Sequence, residues 1–307
     1  MNGSLGFFGT IFPYIEQQAL YDLIANNPTD SNDNVGFAVP LDNTWWDGLT
    51  EEQRNSFGSL PFLKCPARRS GKQLISNFDG FDPSNIFAAL PPEYLTMFQG
   101  RYLKGPRGDY AIVVFDLVSP PPPMSFSRMD VATGNGVLAA SSVSTYNSYL
   151  KEIRSPFRTA IHTLTTGSTN TLSWEPRDKF DSISDGLTNQ LFLGEKYIPS
   201  SKIGVWAFNQ GYDGSVLAST STVSNTFARH LFRYSATASP TYLARNTDEL
   251  SSLSPTSSLF PQFGSNHAGI VNFLVGDGSV RPIAVTTNRD ILEALADTQD
   301  GVPVSLP

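Results

Sequence analysis

The chain of 307 residues is 40% hydrophobic and 12% aromatic, which supplies enough apolar material for a packed core, so disorder is not the default expectation. A formal net charge of −7 argues against a nucleic-acid partner, because phosphate binding depends on clustered Lys and Arg. The 24 glycines and 22 prolines interrupt regular structure, so the composition favours short strands and turns over long helices.

The N-terminal segment 12–24 has the periodicity of an amphipathic helix. Pro13 stands at a first-turn position that tolerates proline, and Asn26-Asn27-Pro28 should end the helix. The predicted buried face consists of apolar residues four apart, namely Ile11, Ile15, Ala19 and Leu23. We therefore expect this helix to pack on a sheet.

Trp45 and Trp46 lie in the middle of a polar, turn-rich stretch, 28–60. Adjacent residues of a strand point to opposite faces, so at most one of the two rings would be fully buried there. We interpret the pair as a loop anchor packed on the body of the protein. The alternative is a surface that stacks on a glycan or peptide, formed by Trp45, Trp46 and Tyr212.

The densest basic cluster contains Lys64, Arg68, Arg69 and Lys72, and it includes the single cysteine, Cys65. We interpret the basic residues as a solvated loop face, with contact to an anion as the alternative. One cysteine cannot form an intrachain disulfide, and Cys65 is expected to be buried as a small apolar residue.

The middle of the chain predicts several short strands. The most apolar is 110–117, whose run of Ala-Ile-Val-Val-Phe indicates a strand buried on both faces. The other predicted strands are 60–66, 159–165, 171–174, 190–197, 205–208 and 227–234. Glu195 and Lys196 are neighbours in an otherwise apolar run, so their side chains should face opposite ways and cannot form one site by themselves. The prolines at 120–123 predict a rigid, extended connector.

The sequence contains no recognisable catalytic or metal-binding motif. The 3 histidines, His162, His230 and His267, are far apart, and none belongs to a His-Glu-x-x-His pattern. There is also no Gly-x-Ser-x-Gly elbow and no phosphate-binding loop that ends in Gly-Lys-Ser/Thr. We therefore expect a protein that is not an enzyme and has no cofactor.

Two apolar runs near the C-terminus, 270–275 and 279–285, flank Gly276-Asp277-Gly278. Asp-Gly between such runs predicts a β-hairpin, with Asp277 capping the turn and Gly278 at positive φ. At about 3.3 Å per residue, an extended 268–275 separates His267 from the turn by roughly 25–30 Å, so His267 and Asp277 cannot share a site within the hairpin. We expect His267 to bond a neighbouring loop or strand in preference to binding a ligand.

The end of the chain predicts an edge strand and a helix. Pro282 lacks a backbone N–H, so the second strand of the hairpin should be an edge strand or carry a bulge. An exposed edge could take up a strand from a neighbouring subunit or a peptide. The segment 288–296 predicts a short helix with Asn288 as its N-cap.

The hairpin also carries a family signature. A histidine, nine intervening residues and then Asp-Gly, here His267 and Asp277-Gly278, resembles the signature of the DUF1559 group of prepilin-like proteins, which are similar to type II secretion pseudopilins. Further segments resemble motifs of that family in the same order, namely 14–18, 64–69, 109–111, 183–189 leading into 194–197, and 291–295. The stretches 120–178 and 210–260 match none of them.

The resemblance implies a fold. It would be pilin-like and α+β, a single β-rich domain over 1–307 with mainly antiparallel sheet, a truncated N-terminal helix and a short C-terminal helix. Loop-rich insertions would lie at about 120–178 and 210–260. Family members carry a prepilin-type leader and an apolar helix upstream, so we expect an anchor before residue 1 and Met1 not to be the natural first residue. Within 1–307 no run of about 18 apolar residues predicts a membrane span.

The resemblance also implies a structural or assembly role in the cell envelope or outside the cell. The partners would be copies of this chain or other pilin-like subunits, with no nucleic acid and with membrane contact only through the upstream helix. Pseudopilins commonly hold calcium in a C-terminal loop, and the candidates here are Asp277, Asp297 and Asp300, although their spacing does not approach the Asp-rich loop that calcium needs. The alternative function is an extracellular glycan- or peptide-binding module.

Overall fold

The structure is a computed structural model that describes part of the chain. The described residues are 4–5, 7–25, 46, 48–72, 74–75, 105–115, 154–158, 161–165, 171–175, 179–198, 200, 203, 213, 215–219, 228–231, 243–244, 262–302 and 304. The predicted proline connector at 120–123 and the predicted strand at 205–208 lie outside these residues.

Short elements make up the described part of the chain. The α-helices are α1 (Phe7–Thr10), α2 (Gln18–Ala25), α3 (Glu51–Gly58) and α4 (Arg289–Ala294). Single 3₁₀ turns cover Phe12–Ile15, Pro61–Leu63, Phe180–Ser182 and Leu187–Asn189. The strands are β1 (Ser4–Leu5), β2 (Leu74–Ile75), β3 (Gly105–Pro106), β4 (Tyr110–Val114), β5 (Ile161–Thr165), β6 (Thr171–Glu175), β7 (Leu191–Glu195), β8 (Ala218–Ser219), β9 (Ala228–His230), β10 (Ile270–Val275) and β11 (Val280–Ala284). None of the described helices is long and apolar enough to cross a membrane.

The described residues form two compact units. The first unit lies within 1–110 and 196–227, and the second within 111–195, 228–245 and 262–307. The prediction of a single domain over the whole chain stays a prediction.

The second unit is built on a sheet with the strand order β11-β10-β7-β4-β9. β10 pairs antiparallel with both β11 and β7, and β9 joins parallel to β4. Alternate residues of β10 are buried, Val271, Phe273 and Val275, which is the two-residue period of a strand with one buried face. Few helices and a mainly antiparallel sheet confirm the predicted α+β class.

Most of the predicted strands that fall on described residues are confirmed. The apolar run at 110–117 forms β4, which ends earlier than predicted, and 190–197 contains β7. The segments 159–165 and 171–174 form β5 and β6, which pair antiparallel. The strand predicted at 227–234 contains β9.

The C-terminal hairpin and helix are confirmed. β10 and β11 pair with Val271 opposite Ile283 and Asn272 opposite Pro282, and β11 lies at the edge of the sheet. Asn288 caps α4, because its Oδ1 accepts a hydrogen bond from Asp290 N at 2.9 Å.

The N-terminal helix differs from the prediction in continuity and in phase. Instead of one helix over 12–24, α1, a 3₁₀ turn and α2 follow one another, and Glu16 interrupts them at a left-handed φ of 61°. A left-handed residue ends the run of helical hydrogen bonds, so the periodicity does not continue through it. The buried residues are Phe8, Phe12, Leu20 and Ile24, whereas Ala19 is exposed. The buried positions therefore lie one residue later in the sequence than predicted.

Residues 50–66 form a helix and a turn where the sequence predicted a loop and a strand. Thr50 and Gln53 make a capping box, with Thr50 Oγ1 accepting from Gln53 N at 3.2 Å and Gln53 Oε1 accepting from Thr50 N at 2.8 Å. The strand predicted at 60–66 is wrong. Pro61 has a fixed φ that suits the first turn of a helix, and the chain forms a 3₁₀ turn closed by a bond from Lys64 N to Pro61 O.

Candidate functional site

The signature histidine lies beside a buried carboxylate. His267 Nε2 is 3.5 Å from Glu195 Oε1, and the His267 side chain is 39% exposed. Glu195 Oε2 accepts hydrogen bonds from Asn272 N at 2.9 Å and from Asn272 Nδ2 at 3.1 Å. Glu195, at the end of β7, therefore joins the segment before β10 to β10 itself.

Asp277 and Gly278 form the hairpin turn. Asp277 Oδ1 accepts a hydrogen bond from Ser279 N at 2.8 Å, and bonds from Ser279 hold the pKa of Asp277 below its ordinary value. Gly278 has a φ of 84°, which an L-residue adopts only with strain. His267 and Asp277 thus contact different residues, at the two ends of β10.

The first unit contains a cluster of buried charged side chains around Asp109. Asp109 Oδ2 accepts from Cys65 N at 2.8 Å, and Oδ1 lies 3.0 Å from Arg68 Nη1 and 2.6 Å from Arg69 Nη2. The backbone of Asp109 is fixed as well, since its N–H donates to Leu63 O at 2.7 Å. Asp109 therefore holds the turn that follows the 3₁₀ helix at Pro61–Leu63.

A second carboxylate extends the cluster. Asp213 accepts two bonds from Arg69, Nη1 to Oδ2 at 3.0 Å and Nη2 to Oδ1 at 2.9 Å. Arg107 Nη1 lies 3.3 Å from Asp213 Oδ2. The carboxylate is fully buried, and the two guanidinium groups are nearly so. We call Arg68, Arg69, Arg107, Asp109 and Asp213 the buried ion cluster.

Two members of the buried ion cluster, Asp213 and Arg69, keep their charges near neutral pH. Burial acts to raise the pKa of Asp213, but the charge and bonds of Arg69, with the charges of Lys196 and Arg107, outweigh burial and lower that pKa. Burial acts to lower the pKa of Arg69, but Asp213 and Asp109 outweigh it and raise that pKa. An ionised carboxylate and a protonated guanidinium do not exchange protons at neutral pH, so the arrangement is suited to joining chain segments.

The interpretation of the basic cluster as a solvated face is wrong for Arg68 and Arg69. Both side chains are buried because Asp109 and Asp213 neutralise them. Cys65 is buried, as expected. Sequence reasoning missed Asp213, and no local pattern marks it, because its partners Arg69 and Arg107 are 144 and 106 positions away.

The calcium candidates are divided between two places. Asp297 and Asp300 lie near Asp185, which accepts bonds from Asp300 N at 2.9 Å and Gly301 N at 3.1 Å. Asp277 lies in the hairpin turn and contacts Ser279. Burial, which the neighbouring carboxylates reinforce, raises the pKa of Asp297 and of Asp300.

Of the candidate stacking residues, the structure describes Trp46. This side chain is 1% exposed, and its ring centroid lies 5.6 Å from that of Phe57. A buried ring has no face to offer a ligand, so the stacking hypothesis does not hold for Trp46, which instead anchors the chain in the core. Trp45 and Tyr212 lie outside the described residues.

Comparison with known families matches the chain to a family model. A family model described as a protein of unknown function, DUF1559, matches residues 1–290. The matched range contains the signature residues His267, Asp277 and Gly278 and the buried Asp109 and Glu195. No curated protein and no solved structure matches the chain.

Proposed function

The chain belongs to the DUF1559 family, whose function is described as unknown, and we propose that it is the soluble, non-catalytic body of a pilin- or pseudopilin-like protein of the cell envelope. Its role in this proposal is structural or assembly-related. Its partners are copies of itself or other pilin-like subunits.

One observation carries the proposal: four acidic residues of the family-like motifs, Asp109, Asp185, Glu195 and Asp277, are bonded to other groups of the fold. Asp109 binds two arginines and a backbone N–H, and Glu195 binds Asn272. Asp185 and Asp277 accept backbone N–H groups. Groups used in this way build a framework, whereas catalytic groups converge where a substrate can enter.

The framework leaves assembly to other parts of the protein. In the proposal, an apolar helix upstream of residue 1 anchors the protein or polymerises it, as the family resemblance implies. The stretches 120–178 and 210–260, which carry no family-like motif, give the protein its distinctive surface.

Imaging of the full natural protein in its own cells tests the proposal. Cryo-electron tomography with an electron-dense label on the C-terminus should place the label in the envelope, in filaments or as single anchored molecules. Cells without the labelled gene are the control for background. Label spread through the cytoplasm would contradict the proposal.

The proposal includes no cofactor. Calcium at Asp297 and Asp300 is the competing possibility, and melting temperatures of chelator-treated protein with and without added calcium test it. A rise in melting temperature that is lost in Asp297→Asn would overturn the cofactor-free part of the proposal.

The glycan- or peptide-binding alternative now depends on Trp45 and Tyr212, since Trp46 is buried. A glycan array with the natural sequence, Trp45→Ala and Tyr212→Ala decides between the two functions. Saturable binding that both substitutions abolish would replace the structural role with a binding role.

A further inference from the structure

Among the described strands, β11 is paired on one side, and no described strand lies on its other side, which we call the open side. Its neighbour among the described strands is β10. Val275 N donates to Ser279 O at one end of the hairpin, and Val285 N donates to Gly269 O at the other. Hydrogen-bonded and non-hydrogen-bonded pairs alternate along an antiparallel ladder. Residues 281 and 283 therefore bond toward β10, while 280, 282 and 284 direct their backbone groups outward.

Pro282 occupies the centre of this outward-facing row. Because its backbone groups point away from β10, the missing N–H removes no bond from the hairpin. The loss falls on the open side, where an approaching strand would find an acceptor at 282 and no donor. The ring is exposed, so it also occupies the space that such a strand would need.

The rest of the strand is well suited to pairing. Val280 is 64% exposed, and Ala284 on the same row is exposed too. Arg281 is the single charge in β11, which also contains the β-prone Val280 and Ile283. Exposed edges of this kind pair with other chains unless proline, charge or a bulge prevents it.

We propose that Pro282 closes the edge of β11 to the same strand of a second copy of this chain. In the two-fold antiparallel pairing of β11 with itself that sets 280 opposite 284, residue 282 meets residue 282 of the second copy, so neither copy has a donor at the centre. Arg281, repeated in both copies, adds repulsion nearby. The inference concerns the isolated chain and does not depend on the proposed role in the envelope.

Sedimentation velocity over a concentration series tests the inference with three variants. Pro282→Thr supplies the N–H and a β-prone side chain, and Pro282→Ala supplies the N–H alone. Ala284→Thr is the matched control, since it adds the same side chain to the outward row of the same strand and no new N–H. The self-association constant of Pro282→Thr should exceed that of the natural sequence by about tenfold or more. Ala284→Thr should associate no more strongly than the natural sequence.

Hydrogen exchange locates the contact. Amides 280, 282 and 284 of Pro282→Thr should become protected as its concentration rises. Unchanged association of both Pro282 variants, with native circular dichroism, would overturn the inference, and so would equal association of Ala284→Thr and Pro282→Thr. If Pro282→Thr does not fold, Pro282→Ala decides by the same criteria.

Discussion

Arg69 and Asp213 meet end to end, with Nη1 3.0 Å from Oδ2 and Nη2 2.9 Å from Oδ1, although 144 residues separate them along the chain. A guanidinium that forms two parallel bonds with a carboxylate is among the stronger polar contacts in proteins. Both side chains are buried, so the loss of one leaves the other charged and desolvated. The pair therefore fixes the chain at residue 213 to the turn at 64–69.

Replacement of this carboxylate should destabilise the protein in a pH-dependent way. Asp213→Asn should lower the free energy of unfolding by about 3 kcal/mol or more at pH 7. The pKa of Asp213 is lowered in the folded protein, so its contribution is present above the unfolded pKa of about 4 and is lost as the pH falls through the folded pKa. The difference between variant and natural sequence should shrink below pH 4.

Urea unfolding at pH 7, 5 and 3 measures this difference. Asp22→Asn is the control in the same unit, because Asp22 is exposed, and it should stay within about 0.5 kcal/mol of the natural sequence. An Asp213→Asn penalty that is the same at pH 3 and pH 7 would show that the charge is not its source.

The pH dependence of stability due to Asp297 and Asp300 should be opposite to that due to Asp213. Burial raises the pKa of both groups in the folded protein, so the folded state binds their protons more readily than the unfolded chain does. Their favourable contribution is full below the unfolded pKa and is lost as the pH rises through the folded pKa. The double variant Asp297→Asn, Asp300→Asn should therefore gain less stability than the natural sequence as the pH falls from 7 to 4. Melting temperatures of the double variant and of the natural sequence between pH 4 and pH 7 test this prediction. If the two melting temperatures change with pH in parallel, the prediction is wrong.

Glu195 should matter more for its oxygen atoms than for its charge. Glu195→Ala leaves the N–H of Asn272 without its acceptor and should cost about 2 kcal/mol or more, whereas Glu195→Gln keeps an acceptor and should cost less. His267→Ala should cost about 1 kcal/mol or less, since His267 is 39% exposed. Urea midpoints rank the variants, and a His267→Ala penalty as large as that of Glu195→Ala contradicts this ranking.

Two glycines should resist substitution for different reasons. A Cβ at Gly194 would lie 2.7 Å from Phe263 Cδ1 and close to Phe273, so Gly194→Ala should cost about 1–3 kcal/mol through overpacking. Gly278 has open space but a φ of 84°, so Gly278→Ala should cost about 1 kcal/mol through strain. Gly48 has open space and an ordinary φ, and Gly48→Ala is the control within about 0.5 kcal/mol. Equal effects at all three positions would disprove both explanations.

Local patterns predicted the structure of the C-terminal segment well. Asp277-Gly278 between alternating apolar residues specifies the hairpin, and Asn288 before an apolar run specifies the capped helix α4. The burial of Arg68 and Arg69 was beyond local reasoning, because the carboxylates that neutralise them are at least 40 positions away (Asp109 from Arg69). The prediction of the buried face of the N-terminal helix was wrong because Glu16 adopts a left-handed conformation that apolar spacing does not reveal.

Asp109 gives the most direct test of whether the family-like motifs build the framework, because its side chain joins two of these motifs, 64–69 and 109–111. Asp109→Asn keeps the shape of the side chain and removes the charge that Arg68 and Arg69 share. The urea unfolding free energy at pH 7 should fall by about 3 kcal/mol or more. A variant that unfolds within about 0.5 kcal/mol of the natural sequence would contradict a framework role for the motif residues.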